Sequence, residues 1–150
     1  YHFAWCNHDP RSRRLKQPKL TNLDHLVLTV INIDASISFY CDVLGMEHAP
    51  FTVADGTIRH ALRFGDQKIN LHKAGQEFTP KAAVPVSGSA DLCFLTQTPI
   101  EDWQSHLQSA GVEIEDGPVE RSGAIGPILS LYMRDPDGNL IEVSIENCNV

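Results

Sequence analysis

Two imidazoles and two carboxylates stand at matching places in the two halves of this chain. His25 opens the run His25-Leu-Val-Leu-Thr-Val30, and Asp91 opens the similar run Asp91-Leu-Cys-Phe-Leu-Thr96. His72 ends Gly65-Asp-Gln-Lys-Ile-Asn-Leu-His72, and Glu142 ends Asp135-Pro-Asp-Gly-Asn-Leu-Ile-Glu142. His25 and His72 are 47 residues apart, and Asp91 and Glu142 are 51 apart. Nitrogen and oxygen donors of these types suit a divalent ion, namely Zn, Ni, Co, Mn or Fe, rather than Cu(I). A repeat that returns ligand-type side chains to equivalent positions suggests one metal site built from two copies of one unit.

The elements that must position these residues follow from periodicity. Residues 23–30 form a strand of aliphatic and β-branched residues. Ile33, Ile37, Tyr40 and Leu44 then make one apolar stripe, predicting a helix over 34–44 with Asp34 near its start and Gly45 ending it. A strand over 46–53 follows, then a hairpin of 57–64 and 68–73 turning at Gly65-Asp66. Residues 76–88, with Pro80, Pro85 and Gly88, read as a linker. The pattern then restarts. There is a strand at 91–96 and a helix from the capping-box sequence Thr98-Pro-Ile-Glu101 to about Ser109, striped by Ile100, Trp103, Leu107 and Ala110. A short strand over 112–115, a loop over 118–127, and two strands at 128–134 and 139–146 complete it. The class is α+β: two tandem βαβββ modules, about 23–75 and 89–146, within one domain over 21–147. Each module has one helix for one sheet face, so the other face must curve around something or pack on another copy.

Composition bounds the partners. Hydrophobic residues make up 42% and charged residues 21%, an ordinary globular balance. Twelve basic against 19 acidic residues give a net charge of −7, which argues against nucleic acid or an anionic membrane as partner. Cys6, Cys41, Cys93 and Cys148 form no CxxC pair and read as reduced thiols of an intracellular, cytoplasmic protein. Residues 1–20 read as a flexible tail, whose basic stretch Arg11-Ser-Arg-Arg-Leu-Lys16 leaves organelle targeting open. Other residues have plainer readings. Cys93 shares a strand face with Asp91 and reads as a small thiol or a pocket lining, Asp137-Gly138 as a turn, and the Trp103 stripe as core. Arg121, on a Gly-rich loop, could grip a carboxylate or phosphate of a substrate, and Lys81 in the linker has a weaker case.

The segments His25-Leu-Val-Leu-Thr-Val30, Phe39-Tyr-Cys-Asp-Val-Leu-Gly-Met46, Gly65-Asp-Gln-Lys-Ile-Asn-Leu-His72 and Arg134-Asp-Pro-Asp-Gly-Asn-Leu-Ile-Glu142 resemble the vicinal oxygen chelate superfamily. That group spans glyoxalases, bleomycin-resistance proteins and dioxygenases. With Asn70-Leu-His72, the segment Gly117-Pro-Val-Glu-Arg-Ser-Gly-Ala124 looks closest to the subgroup called glyoxalase domain-containing protein 5. The resemblance implies a cupped mixed sheet around a divalent metal held by His25, His72, Asp91 and Glu142. It implies a homodimer whose partner subunit helps close the cup. The implied reaction is glyoxalase-like lyase or isomerase chemistry: a small oxygenated substrate, a metal-stabilised enediolate, and Glu142 or Asp91 as general base. Glyoxalase I usually carries Glu and His where this chain has His72 and Asp91. If Asp91 falls short of the metal, His25, His72 and Glu142 make a two-His, one-carboxylate set suited to Fe(II). Extradiol-type dioxygenase chemistry is therefore one alternative, and a non-catalytic small-molecule-binding module is another.

Overall fold

A computed structural model of the chain describes residues 17–147, so the reading of the tail falls largely outside the described residues. Two modules are present. The first comprises β1 (His25–Val30), α1 (Ile33–Ser38) with a π-helical turn (Phe39–Val43), β2 (Glu47–His48), β3 (Phe51–Thr52), β4 (Ile58–Phe64) and β5 (Gln67–Lys73). The second comprises β6 (Asp91–Leu95), α2 (Ile100–Ser109), β7 (Asp116–Ser122), β8 (Pro127–Arg134) and β9 (Leu140–Glu146). The sheet orders are β1-β5-β4-β2, with β3 also on β4, and β6-β9-β8-β7. In each module the first and last strands pair in parallel and the remaining neighbours are antiparallel. The α+β class and the tandem modules stand as the periodicity predicted.

Local chemistry explains where the elements depart from the sequence reading. The first helix is capped by the Asn32 side chain, which accepts from Ala35 N–H at 2.9 Å. Asp34 lies inside its first turn. Thr98 makes no capping bond, and α2 starts after Pro99. The strand expected over 46–53 is split into β2 and β3 around Ala49-Pro50, since proline has no N–H for a ladder. Residues 112–115 form no strand, whereas much of the expected loop over 118–127 belongs to β7. That strand misleads because Gly117 and Pro118 sit inside it, where the register shifts between Asp116 and Val119. β7 is an edge strand, the place where a bulge and a proline are tolerated. Gly117 adopts a φ of 104°, and any Cβ there would collide with the Ser130 carbonyl.

One core joins the modules. Leu28, Val30, Tyr40, Leu62, Ile69 and Leu71 pack with Ile100, Leu107, Leu131, Met133, Ile141 and Val143. Phe64 meets Phe94 edge to face at 5.2 Å. The loop between β8 and β9 does more than turn the chain. Buried Asp135 accepts the Tyr40 hydroxyl at 2.8 Å and the backbone N–H groups of Asp137 and Asn139 at 2.9 Å. Asp137 accepts from Ile31 N–H at 2.9 Å, and Asn139 from Ala90 N–H at 2.9 Å. These bonds tie the second module's turn to the helix entry and the tyrosine of the first. Because the strands alternate, the residues that skip this core line two outward faces.

Candidate functional site

Strand register decides which side chains share an outward face. In the first module His25, Val27 and Thr29 of β1 lie opposite Lys68, Asn70 and His72 of β5. In the second, Asp91 and Cys93 of β6 lie opposite Leu140 and Glu142 of β9. Asp91 opens its strand as His25 does, and Cys93 faces Glu142 as Val27 faces Asn70. The residue matching Glu142 is therefore Asn70, and His72 matches Ser144. Equal spacing by residue count does not put His72 level with Glu142, because the connections in the two modules differ in length. His72 lies opposite Thr29, about 13 Å along the sheet from the level of His25 at roughly 3.3 Å per residue. Among the described residues of one chain, no three His, Cys, Asp or Glu side chains converge as a cation site.

His25 is half-exposed, and its Nδ1 sits 2.8 Å from an Asp24 carboxylate oxygen. A carboxylate on Nδ1 fixes the ring and leaves Nε2 as the free donor, the arrangement typical of a ligating histidine. Asn70 carries a buried Oδ1 with no hydrogen-bond partner among the described residues. A buried amide oxygen left unbonded is costly. A cation at that oxygen would satisfy it. His72 is 8% exposed, with its ring edge-on to Phe78 at 5.3 Å. Burial holds its imidazole below the ordinary range, Arg59 and Lys81 push the same way, and Glu77 opposes them.

Glu142 is the most elaborately held of the candidates. One of its oxygens, Oε2, accepts from the Ser130 hydroxyl and from the Ser144 hydroxyl at 3.1 Å. The two serines, both fully buried, touch each other at 2.7 Å. Ser144 also meets Cys93 Sγ at 3.3 Å. Burial pushes the Cys93 thiol up, against the contrary pull of the Ser144 hydrogen bond, so it is not a ready thiolate. A concavity of about 550 Å³ runs beside Glu142, lined by Cys93, Arg121, Tyr132 and the loop 122–126. Arg121 gives Nε–H to the Tyr132 hydroxyl at 3.1 Å, Nη1–H to Glu120 O at 3.1 Å and Nη2–H to Asp116 at 3.4 Å. Asp91 is exposed on the same face as Glu142 but does not border this concavity. Ser130, Tyr132 and Asn70 escaped the sequence reading as site residues, whereas alternation along β9 already puts Ser144 on the face of Glu142.

The two outward faces differ in charge. Arg59, Arg63 and Lys68 lie on the first module's face, with Glu47 opposite Arg63 and Asp24 on His25. Asp91, Asp116, Glu142 and Glu146 lie on the second module's face with Arg121 and Arg134, so the first face is the more basic and the second the more acidic. Val27, at 48% exposure, and Leu95, at 61%, leave apolar area open on the two faces. No helix among the described residues is long and apolar enough to cross a membrane.

A family model described as the Glyoxalase/Bleomycin resistance protein/Dioxygenase superfamily matches residues 22–143. The chain is 52% identical over 134 residues to glyoxalase domain-containing protein RDO1 of Mycosarcoma maydis, covering 89% of this chain and 73% of that protein. It is 55% identical over 125 residues to virulence protein STM3117 of Salmonella typhimurium, covering 83% of this chain and 84% of that one. The crystal structure of STM3117 matches the fold with a TM-score of 0.80, over 87% of this chain and all of that one. In fold alone, lactoylglutathione lyase from Agrobacterium tumefaciens is similar at a TM-score of 0.64 and 23% identity, over 85% of this chain and 95% of that one. The chain belongs to the Glyoxalase/Bleomycin resistance protein/Dioxygenase superfamily.

Proposed function

We propose that this protein is a metal-dependent lyase or isomerase of the glyoxalase type, acting as a homodimer on a small oxygenated substrate. The observation that carries the reading is Glu142, a carboxylate fixed by two buried hydroxyls at one oxygen and free at the other. The donor set fits a divalent ion across two copies. His25 and Asn70 come from one chain's first module, and Asp91 and Glu142 from the partner's second module. The orphaned Asn70 oxygen and the His25–Asp24 pair support that fit. So does the difference in charge between the two outward faces. His72, expected among the ligands, is assigned instead to the substrate's side of the site. The likeness to glyoxalase domain-containing protein 5 rests on segments that border both faces, and is part of the same proposal.

When bound, a divalent metal supplies Lewis-acid stabilisation of negative charge developing on two substrate oxygens. The chain's own residues do the rest. Glu142, once loosened from the metal, takes through Oε1 the proton from the carbon beside the substrate carbonyl and returns it to the neighbouring carbon. Ser130 and Ser144 keep that carboxylate from rotating away. Asp91, on the same face, is the second carboxylate able to receive a proton. Arg121 has three of its five N–H donors in use, which leaves two for a substrate at the rim of the concavity.

The test is exchange of the α-proton of α-oxoaldehyde thiol adducts into deuterated solvent, followed by NMR. Metal-loaded protein should catalyse exchange or isomerisation, and chelation should abolish it. Absence of both reactions from metal-loaded protein would reject the reading.

A further inference from the structure

The first module's face holds a second feature, which lies two residues beyond Asn70 along β5. A pocket of about 280 Å³ is lined by Val27, Thr29, His72, Pro80, Lys81 and Pro85. At roughly 30 Å³ per water that is room for a molecule of about nine heavy atoms. Arg59 lies beside it on β4, one residue before the His60–Leu71 pair, and so alongside His72. Its guanidinium stacks 3.8 Å from the centre of the Phe78 ring, and the same ring packs against His72. A cation held over a ring face keeps its N–H donors available to a carboxylate. Arg59 Nε is buried without a hydrogen-bond partner, and Arg59 joins no ion pair among the described residues. Lys81 Nζ stands 3.6 Å from Glu77. Lys81 is paired with Glu77, whereas Arg59 feels only the exposed Asp55 at longer range and makes no ion pair among the described residues.

We propose that this pocket binds a carboxylate group of the substrate, with Arg59 and Lys81 supplying charge and Thr29 and His72 lining the seat. The inference rests on the proposed reaction for the rest of the substrate. Asn70 and His72 are about 7 Å apart on one face, so the carboxylate lies that far from the oxygens that react. The reaction would therefore select a small oxo- or hydroxy-acid derivative over a neutral one.

Binding can be read without turnover. Butyrate, butyramide and inorganic phosphate are titrated into the full-length chain with its metal chelated, following the ring signals of His72 by NMR. Those signals are assigned by their loss in His72→Asn. Butyrate should shift them and bind about tenfold or more tightly than butyramide, and Arg59→Gln and Lys81→Gln should each weaken it about tenfold. Lys81 is partly exposed, so its variant tests the site without disturbing the core. Equal binding of butyramide, or unchanged butyrate affinity in both variants, would overturn the proposal. Tighter binding of phosphate than of butyrate would overturn the carboxylate assignment. Failure of proton exchange would leave this result standing, and failure here would leave proton exchange standing.

Discussion

Two serine hydroxyls make Glu142 a different reagent from a carboxylate on a free stem. Ser130 and Ser144 occupy one oxygen and fix the plane of the group, so in the proposed reaction the other oxygen meets the substrate at one angle. A general base in that position typically contributes about 100- to 10,000-fold. Glu142→Gln should therefore lower α-proton exchange by about that range, measured by NMR under saturating metal. Ser144→Ala should act more weakly, with about a tenfold loss in kcat, because Ser130 still holds the same oxygen. If Ser144→Ala matched Glu142→Gln, the serine would be doing more than positioning. Asn70 bears on the proposed metal site. Its amide oxygen is what distinguishes this face from one that presents a carboxylate at the corresponding position.

At the scale of elements, the β8–β9 turn works as a staple between modules. Burial and the Asp135 charge both push the Tyr40 hydroxyl far up, so it stays a protonated donor to Asp135 at any accessible pH. Tyr40→Phe leaves Asp135 with one donor fewer and should cost about 1–3 kcal/mol, read from urea denaturation. A variant as stable as the parent would show that the turn's backbone donors suffice. Strand and helix order was largely legible in the sequence, since apolar alternation and the 3.6-residue stripe directly encode faces. The site was legible only in part. His25, Asp91 and Glu142 begin strands or sit within their alternation, which sequence shows. Which partner lies opposite depends on register, and register depends on how many residues the intervening strands and turns consume. A count of residues cannot supply that, so the count pairs His72 with Glu142 where the register pairs Asn70. β7 was hidden for a related reason: a Gly-Pro inside a bulge looks like a loop until the neighbouring strand is known.

At the scale of the whole molecule, the proposed site makes each outward face half of an enclosure. One face carries Arg59, Arg63 and Lys68, and the other carries Asp91, Glu142 and Glu146 beside Arg121 and Arg134. In the proposed dimer, two copies related by a two-fold axis bring the two kinds of face together twice, giving two sites that each take one module from each chain. This predicts complementation between inactive variants. Mixing His25→Ala chains with Glu142→Gln chains and allowing exchange should regenerate about a quarter of the wild-type activity, since mixed dimers hold one intact site. Light scattering should show a dimer throughout. The most direct measurement of the account is metal content per chain, by mass spectrometry after purification without a tag, for single variants of the donors. His25→Ala and Glu142→Ala should each lose most of the metal, and Asn70→Ala should bind it more weakly, while His72→Ala should retain it. Full occupancy in His25→Ala and Glu142→Ala, or its loss in His72→Ala alone, would contradict the site as assembled here.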